Sequence, residues 1–147
     1  TQVGLPDETC NSYVAKSSDT CDAEAMCMNC MVKGDGSHAC WPIERQSRYY
    51  VKEWGQLTGG ESAMLSEIFS RGPIGCAVVS DEGFDFGFDG GVHTLKAKGN
   101  QTDVNHDVEI TGWGVTRDGL KFWQARNSWG SFWGEQGFFK IERGINL

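Results

Sequence analysis

Asn105-His106-Asp107-Val108-Glu109-Ile110-Thr111-Gly112, running on from Val104, is the stretch whose pattern decides how the rest of the chain is read. Side chains alternate between the two faces of a strand. Val104, His106, Val108 and Ile110 therefore share one face, and Asn105, Asp107 and Glu109 share the other. That alternation predicts a half-buried strand over Val104–Gly112 that carries a histidine in its inward register. Downstream, Lys121–Arg126 and Gly137–Glu142 read as two further strands. Upstream, Ile74–Val79 is a short apolar run suited to a buried strand, and residues 83–91 form a loop rich in Gly and Asp. Residues 61–70 predict a helix with Met64, Leu65, Ile68 and Phe69 on one face. Thr58 or a nearby glycine caps its start, and Gly72-Pro73 ends it. Residues 49–56, from Tyr49 to Gln56, alternate well enough for one more strand. One helix followed by several short antiparallel strands makes the fold class α+β, a small barrel-like sheet with the helix on its flank. Residues 1–48 are polar and cysteine-rich and predict a surface segment held by covalent bridges; residues 49–147 form the sheet domain.

The 147 residues suffice for one apolar core. A net charge of −7 argues against nucleic acid, whose phosphates require a basic patch, and against electrostatic attachment to anionic lipid. No apolar run approaches the roughly 20 residues of a membrane helix, so no membrane insertion is expected. Cys10, Cys21, Cys27, Cys30 and Cys40 crowd one end, and Cys76 stands apart. Cys27 and Cys30 form a C-x-x-C that suits half of a zinc knuckle, but no second such pair follows. Disulfides are the favoured reading, with no metal, and they place the chain in an oxidising compartment: lysosomal, secreted or otherwise extracellular. A start at Thr1 without Met suits a processed product, and an end at Leu147 just after a strand is odd for a complete domain. The acidic composition is ordinarily a solvated surface and also agrees with an acidic compartment.

A lone inward histidine is most often a hydrogen-bonded core residue. The later segment Arg126-Asn127-Ser128-Trp129-Gly130-Ser131-Phe132-Trp133-Gly134 changes that reading for His106. An Asn beside an imidazole accepts its N–H and sets tautomer and orientation, and a Trp over that bond keeps water away. His106 and Asn127 are thus two members of a Cys-His-Asn constellation.

Asn105-His106-Asp107-Val108 with Gly112-Trp113-Gly114, then Asn127-Ser128-Trp129-Gly130 with Trp133-Gly134-Glu135 and Gly137, resembles the His and Asn motifs of papain-family cysteine peptidases. Pro6-Asp7-Glu8-Thr9-Cys10 and Gly72-Pro73-Ile74-Gly75-Cys76 resemble the cathepsin Z branch in particular. The resemblance spans the chain and implies the right-hand, barrel-like half of a papain fold, with residues 1–48 packed on a left-hand domain. It implies that His106 is the general base paired with a thiolate, that Asn127 orients it, that Trp129 shields their bond, and that Trp133 lines the leaving-group side. It places Ala77 and Asp107 beside the pocket for the substrate's second residue. The family has a small or apolar residue where Asp107 stands, so this carboxylate points to solvent or favours a basic substrate residue. Asn105 stands where an Asp is common in the family, as in cathepsin Z relatives.

The family's nucleophile heads a long helix in the N-terminal half, a few residues after a Gln, and no such helix or Gln precedes His106. Cys40-Trp41 imitates the Cys-Trp step, but Gly34 stands in the Gln position and Pro42 blocks a helix, so a bridge is the plainer reading for Cys40. Cys76 reads as structural. The resemblance pairs Cys10 with Cys27 and Cys30 with Cys40, and assigns Cys21 and Cys76 to cysteines in absent segments. The implied function is the His/Asn-bearing half of a peptidase acting through a thiolate acyl-enzyme on a peptide or protein substrate, with no metal or cofactor. Cathepsin Z relatives are carboxypeptidases. Its partner is then a Cys-bearing N-terminal half, and this chain alone is expected to be inactive. The alternative is a non-catalytic papain-like module, a structural or binding subunit of a larger assembly. His38 and His93 read as solvated loop residues, and Asn100-Gln101-Thr102 is a glycosylation sequon.

Overall fold

A computed structural model of the chain describes residues 4–8, 10, 27–43, 45–94 and 104–145. Cys21 and the Asn100 sequon lie outside the described residues. The chain divides into two compact units, residues 1–55 and 56–147.

In the first unit, β1 (Met28–Val32) and β2 (His38–Pro42) form an antiparallel hairpin, with Cys30 opposite Cys40. The sequence predicts a surface loop held by covalent bridges here, without strands. The hairpin is stabilised by backbone pairing and by its bridge rather than by burial, which is why no apolar pattern announced it. Cys10 is bonded to Cys27 and Cys30 to Cys40, closing loops of 17 and 10 residues. Loops of that size contribute about 3 kcal/mol each by restricting the unfolded chain. His38 lies exposed on β2, not in a loop. Residues 49–56 do not form the strand their alternation predicted. Tyr49 makes one bridge to Leu5, and Tyr50, Val51 and Trp54 remain exposed. Alternation is necessary for a strand, but without a neighbouring ladder the segment's backbone stays largely unpaired.

The second unit is a five-stranded sheet in the order β3-β5-β6-β7-β4 with a helix against it, the α+β arrangement expected. Its strands are β3 (Ile74–Val78), β4 (Val92–His93), β5 (His106–Val115), β6 (Lys121–Arg126) and β7 (Phe138–Glu142). All neighbours are antiparallel except β4 and β7, which run parallel. Val108 and Ile110 of β5, Trp123 and Ala125 of β6, and Phe139 and Ile141 of β7 fill the core. A bulge at Thr111, between the Ile110–Ala125 and Gly112–Gln124 pairs, shifts the register beyond the buried part of β5.

Helix α1 (Gly60–Arg71) packs Ile68, with Met64 and Leu65, onto β5 and β3. Phe69 was expected on that face and is instead almost fully exposed. One residue past Ile68 is a rotation of about 100°, enough to leave a narrow apolar stripe. Gly59 precedes the helix without a side-chain cap, and Gly72, at φ 103°, closes it by donating its N–H to the Ile68 carbonyl. Arg143, nearly buried, ties the end of β7 to this helix through a 2.8 Å bond to Glu61 and lies 5.3 Å over the Trp123 ring.

The Gly/Asp-rich segment expected as loop contains a short helix, α2 (Glu82–Gly87). Asp81 caps it by accepting the Phe84 N–H at 2.8 Å. The turn before β7 depends on Gly134, whose φ is 57° and where a Cβ would meet the Phe138 carbonyl oxygen at 2.7 Å. Gly134→Ala is expected to destabilise the protein by about 2 kcal/mol or more, because strain and overlap add at one position. The shift of the urea unfolding midpoint measures it.

Candidate active site

His106 is the first residue of β5, paired in register with Val78 of β3. Asn105 sets the entry to this strand. Its carboxamide accepts the Ser80 N–H at 2.7 Å and donates to the Ser80 carbonyl at 2.9 Å, while its own N–H reaches the Val78 carbonyl at 3.1 Å. An aspartate could accept from Ser80 but not donate back, so the amide makes a two-way clamp here. Asn127 directly follows β6, and its N–H donates to the Gly137 carbonyl at 2.9 Å. Strands β5 and β6 are neighbours, and this brings their ends together.

The two predicted side chains meet. His106 Nε2 lies 2.9 Å from Asn127 Oδ1, which also accepts the Ser128 N–H at 2.8 Å. An amide oxygen accepts only, so His106 Nε2 carries the proton and Nδ1 is left for a second partner. Asn127 is 8% exposed, and its Nδ2 is buried without a hydrogen-bond partner among the described residues. Trp129 lies 4.8 Å from the imidazole, centroid to centroid, with a 32° tilt, where it covers one side of the bond. Trp133 meets Trp129 edge-on at 5.1 Å and donates its indole N–H to the Asp85 carbonyl at 3.2 Å.

The residue beneath this group was absent from the sequence reading. Phe84, 1% exposed, contacts the rings of Phe88, His93, His106, Trp129, Trp133 and Phe139 at centroid distances of 4.9–6.5 Å. A phenylalanine between glycines and aspartates gives no periodic signal. Asp81 three residues before it, a helix-capping spacing, was the available hint. His93 corrects another expectation. It belongs to β4 and is half-buried against Phe84 at 5.0 Å and Phe88 at 6.2 Å, with Nε2 buried and unpartnered among the described residues. Burial lowers its pKa, and the Asp81 carboxylate opposes that shift in part.

Glu135 connects the two loops of the site. It accepts the Gly91 N–H at 3.2 Å and the Lys140 ammonium at 2.5 Å, and the Lys140 bond holds its pKa below the usual value. Ala77 and Asp107 are register partners on the outer face of β3 and β5, both exposed. Beside them, a shallow depression of about 200 Å³ is lined by Asp107, Val108, Glu109, Arg126, Asn127 and Ser128. Arg126 pairs with Glu109 at 3.2 Å, and no ion pair of Asp107 is found among the described residues. Cys40 is bonded to Cys30 and has no thiol to act as nucleophile. Cys76 has a free thiol on the core side of β3, pushed up in pKa by burial and by the Asp107 carboxylate, the reverse of what an attacking thiolate needs. The described residues contain no cluster of three or more His, Cys, Asp or Glu able to hold a metal, and no helix long and apolar enough to cross a membrane.

The geometry is a histidine whose Nε2–H is held by a buried amide, with a tryptophan ring against the imidazole. The profile of the papain family cysteine proteases matches residues 1–147. The chain belongs to the papain family. Cathepsin Z of Onchocerca volvulus is 36% identical over 141 residues, which cover 95% of this chain and 42% of that protein. The human tubulointerstitial nephritis antigen-like protein is 34% identical over 134 residues, 84% of this chain and 26% of its own length. Among solved structures, the proform of the ragweed pollen allergen Amb a 11, a cysteine protease, superposes with a TM-score of 0.65 at 28% identity, over 99% of this chain and 34% of that one. Bromelain from Ananas comosus, in complex with the E64 inhibitor, gives a TM-score of 0.51 at 34% identity over 58% of this chain and 37% of its own. The chain thus spans less than half the length of each of these papain-family relatives.

Phe84→Ala is expected to destabilise the second unit by about 3–5 kcal/mol, the range for removing a fully buried phenylalanine. Near-ultraviolet circular dichroism of the tryptophans should weaken in parallel, since two of them rest on this ring.

Proposed function

We propose that this chain is the His/Asn-bearing half of a cysteine peptidase that cleaves peptide bonds through a thiolate acyl-enzyme. The observation that carries the reading is the 2.9 Å contact between His106 Nε2 and buried Asn127 Oδ1 beneath Trp129. With Nε2 committed to Asn127, Nδ1 of His106 takes the proton of a cysteine supplied from outside these 147 residues. The resulting imidazolium–thiolate pair attacks the substrate carbonyl. Breakdown of the tetrahedral intermediate expels the leaving amine, which takes the proton from Nδ1, and water then hydrolyses the thioester with His106 again as base. Asn127 holds the ring in plane for both transfers, and Trp129 excludes water that would compete for its oxygen.

The Cys-bearing N-terminal half is the partner this reading requires, and without it the chain is inactive. Residues 1–48 would pack on that half, Cys21 would bond to a cysteine in it, and Cys76 to a cysteine in a further segment outside these 147 residues. Ala77 and Asp107 border the pocket for the substrate's second residue, and Trp133 lines the leaving-group side. Likeness to cathepsin Z supports carboxypeptidase action. The two disulfides support a lysosomal or secreted location.

Labelling with a thiol-directed epoxide tests the reading. The protein bearing both halves should be modified at one cysteine outside residues 1–147, and His106→Ala should abolish labelling. Asn127→Ala should lower kcat/KM by about 10- to 100-fold, the value of a hydrogen bond to a charged ring. Labelling at Cys76, or none at all, would overturn it in favour of a non-catalytic module.

A further inference from the structure

We propose that neutral His93 is a positioning residue for the His106–Asn127 pair, acting through Phe84 and Trp129. The inference rests on the peptidase reading above and concerns a residue outside the Cys-His-Asn set. Phe84 is sandwiched within one aromatic cluster: His93 lies 5.0 Å from it, while Trp129 and His106 lie 5.7 Å and 6.5 Å from it. Trp129 in turn covers His106 at 4.8 Å. The position of the cover therefore depends on what supports Phe84, and His93 on edge strand β4 is one of those supports. Strand β4 has only two residues and one neighbour, β7, so it has little pairing of its own to hold His93 in place.

The charge state of His93 decides whether it can remain there. Its Nε2 is buried and meets no acceptor among the described residues, and the rings of Phe84 and Phe88 are its aromatic neighbours. The ionisable groups on the packed elements are Asp81, Glu82 and Asp85 of α2 and its cap, Asp89 beyond Phe88, Lys140 and Glu142 of β7, and Glu135. Several are engaged elsewhere. Asp81 accepts the Phe84 N–H, Asp85 bonds the Ser80 hydroxyl, and Lys140 pairs with Glu135. Asp81 offsets only part of the cost of burying a charge on His93. A proton on both ring nitrogens would leave a buried N–H unsatisfied and a cation among ring edges. The folded protein thus binds this proton less readily than the unfolded chain does. The stability from neutral His93 is present at pH above the ordinary histidine value of 6.5 and declines as pH falls below it. As His93 charges, β4 and α2 separate, Phe84 loses its backing, and the tryptophan cover over His106–Asn127 loosens.

The test uses the protein with both halves present and compares His93→Phe and His93→Gln, neither of which can charge, with the wild type. Expected is a shift of the acid limb of kcat/KM to lower pH by about half a unit or more in both variants, with little change at pH 7. The acid-induced change in tryptophan fluorescence should shift with it. In the wild type, nitrogen-15 NMR should find the His93 ring still mostly neutral at pH 6.5, the ordinary histidine value. A His93 ring already half charged at pH 6.5, or an acid limb that stays in place in both variants, would overturn the proposal. So would equal losses at every pH, which would mark His93 as a packing residue only. A wild type inactive at all pH values would remove the peptidase reading and the positioning role together, whereas the acid-limb comparison alone fails if only the His93 inference is wrong.

Discussion

The burial of one aromatic ring, Phe84, is the constraint on which the site depends. Six rings from β4, β5, β7, the segment after α2 and the turn before β7 converge on it. The sheet fixes β4, β5 and β7, while the segment after α2 and the turn before β7 are placed by this packing together with the Glu135–Gly91 and Trp133–Asp85 bonds. Aromatic edges and faces have preferred arrangements at these distances, and a fully buried ring with several such neighbours has few alternative positions. The Asp81 cap and the Trp133–Asp85 bond orient the helix that carries Phe84. The position of His106 is thereby built on a core contact rather than on the surface turns alone.

Around that ring, polar groups are arranged so that few are left to compete with the His106–Asn127 contact. Asn127 Oδ1 serves both His106 and its own turn, Asn105 closes both valences of Ser80, and Glu135 collects one N–H and one ammonium. Two buried nitrogens remain unpaired among the described residues near this machinery, Asn127 Nδ2 and His93 Nε2. Unpaired buried polar atoms are costly, and they concentrate where a structure serves function rather than stability. The thiols follow a different logic. Four described cysteines are spent on bridges in the first unit, and Cys76 is half-buried on the core side of β3 with its ionisation disfavoured. The arrangement holds an imidazole against a buried amide beside a tryptophan ring, and no described thiol lies in that group.

Much of this could be read from residue order. The inward register of His106 in an alternating strand, the Asn127-Ser128-Trp129-Gly130 turn after β6, helix α1, strand β3 and strand β7 are local patterns, and local patterns are written in spacing of 2.0 or 3.6 residues. Resemblance then named their chemistry and the two disulfide pairs. Other features were illegible for physical reasons. The β1–β2 hairpin has both faces largely exposed, so it shows no apolar alternation. Residues 49–56 do alternate, but a strand needs a neighbour and pattern alone cannot provide one. Phe69 shares the composition of the α1 stripe but not its angle.

Sequence alone determined which residues could act: an imidazole, an amide and a tryptophan in an order and separation that suit one chemistry. Tertiary structure alone decided that His106 and Asn127, 21 positions apart, would meet at 2.9 Å, and that Phe84 and His93 would stand behind them. Hydrogen bonds and ring contacts between strand ends depend on distances that close only when β3, β5, β6 and β7 assemble around a common core. A ring buried by long-range packing leaves no periodic trace in the segment that carries it.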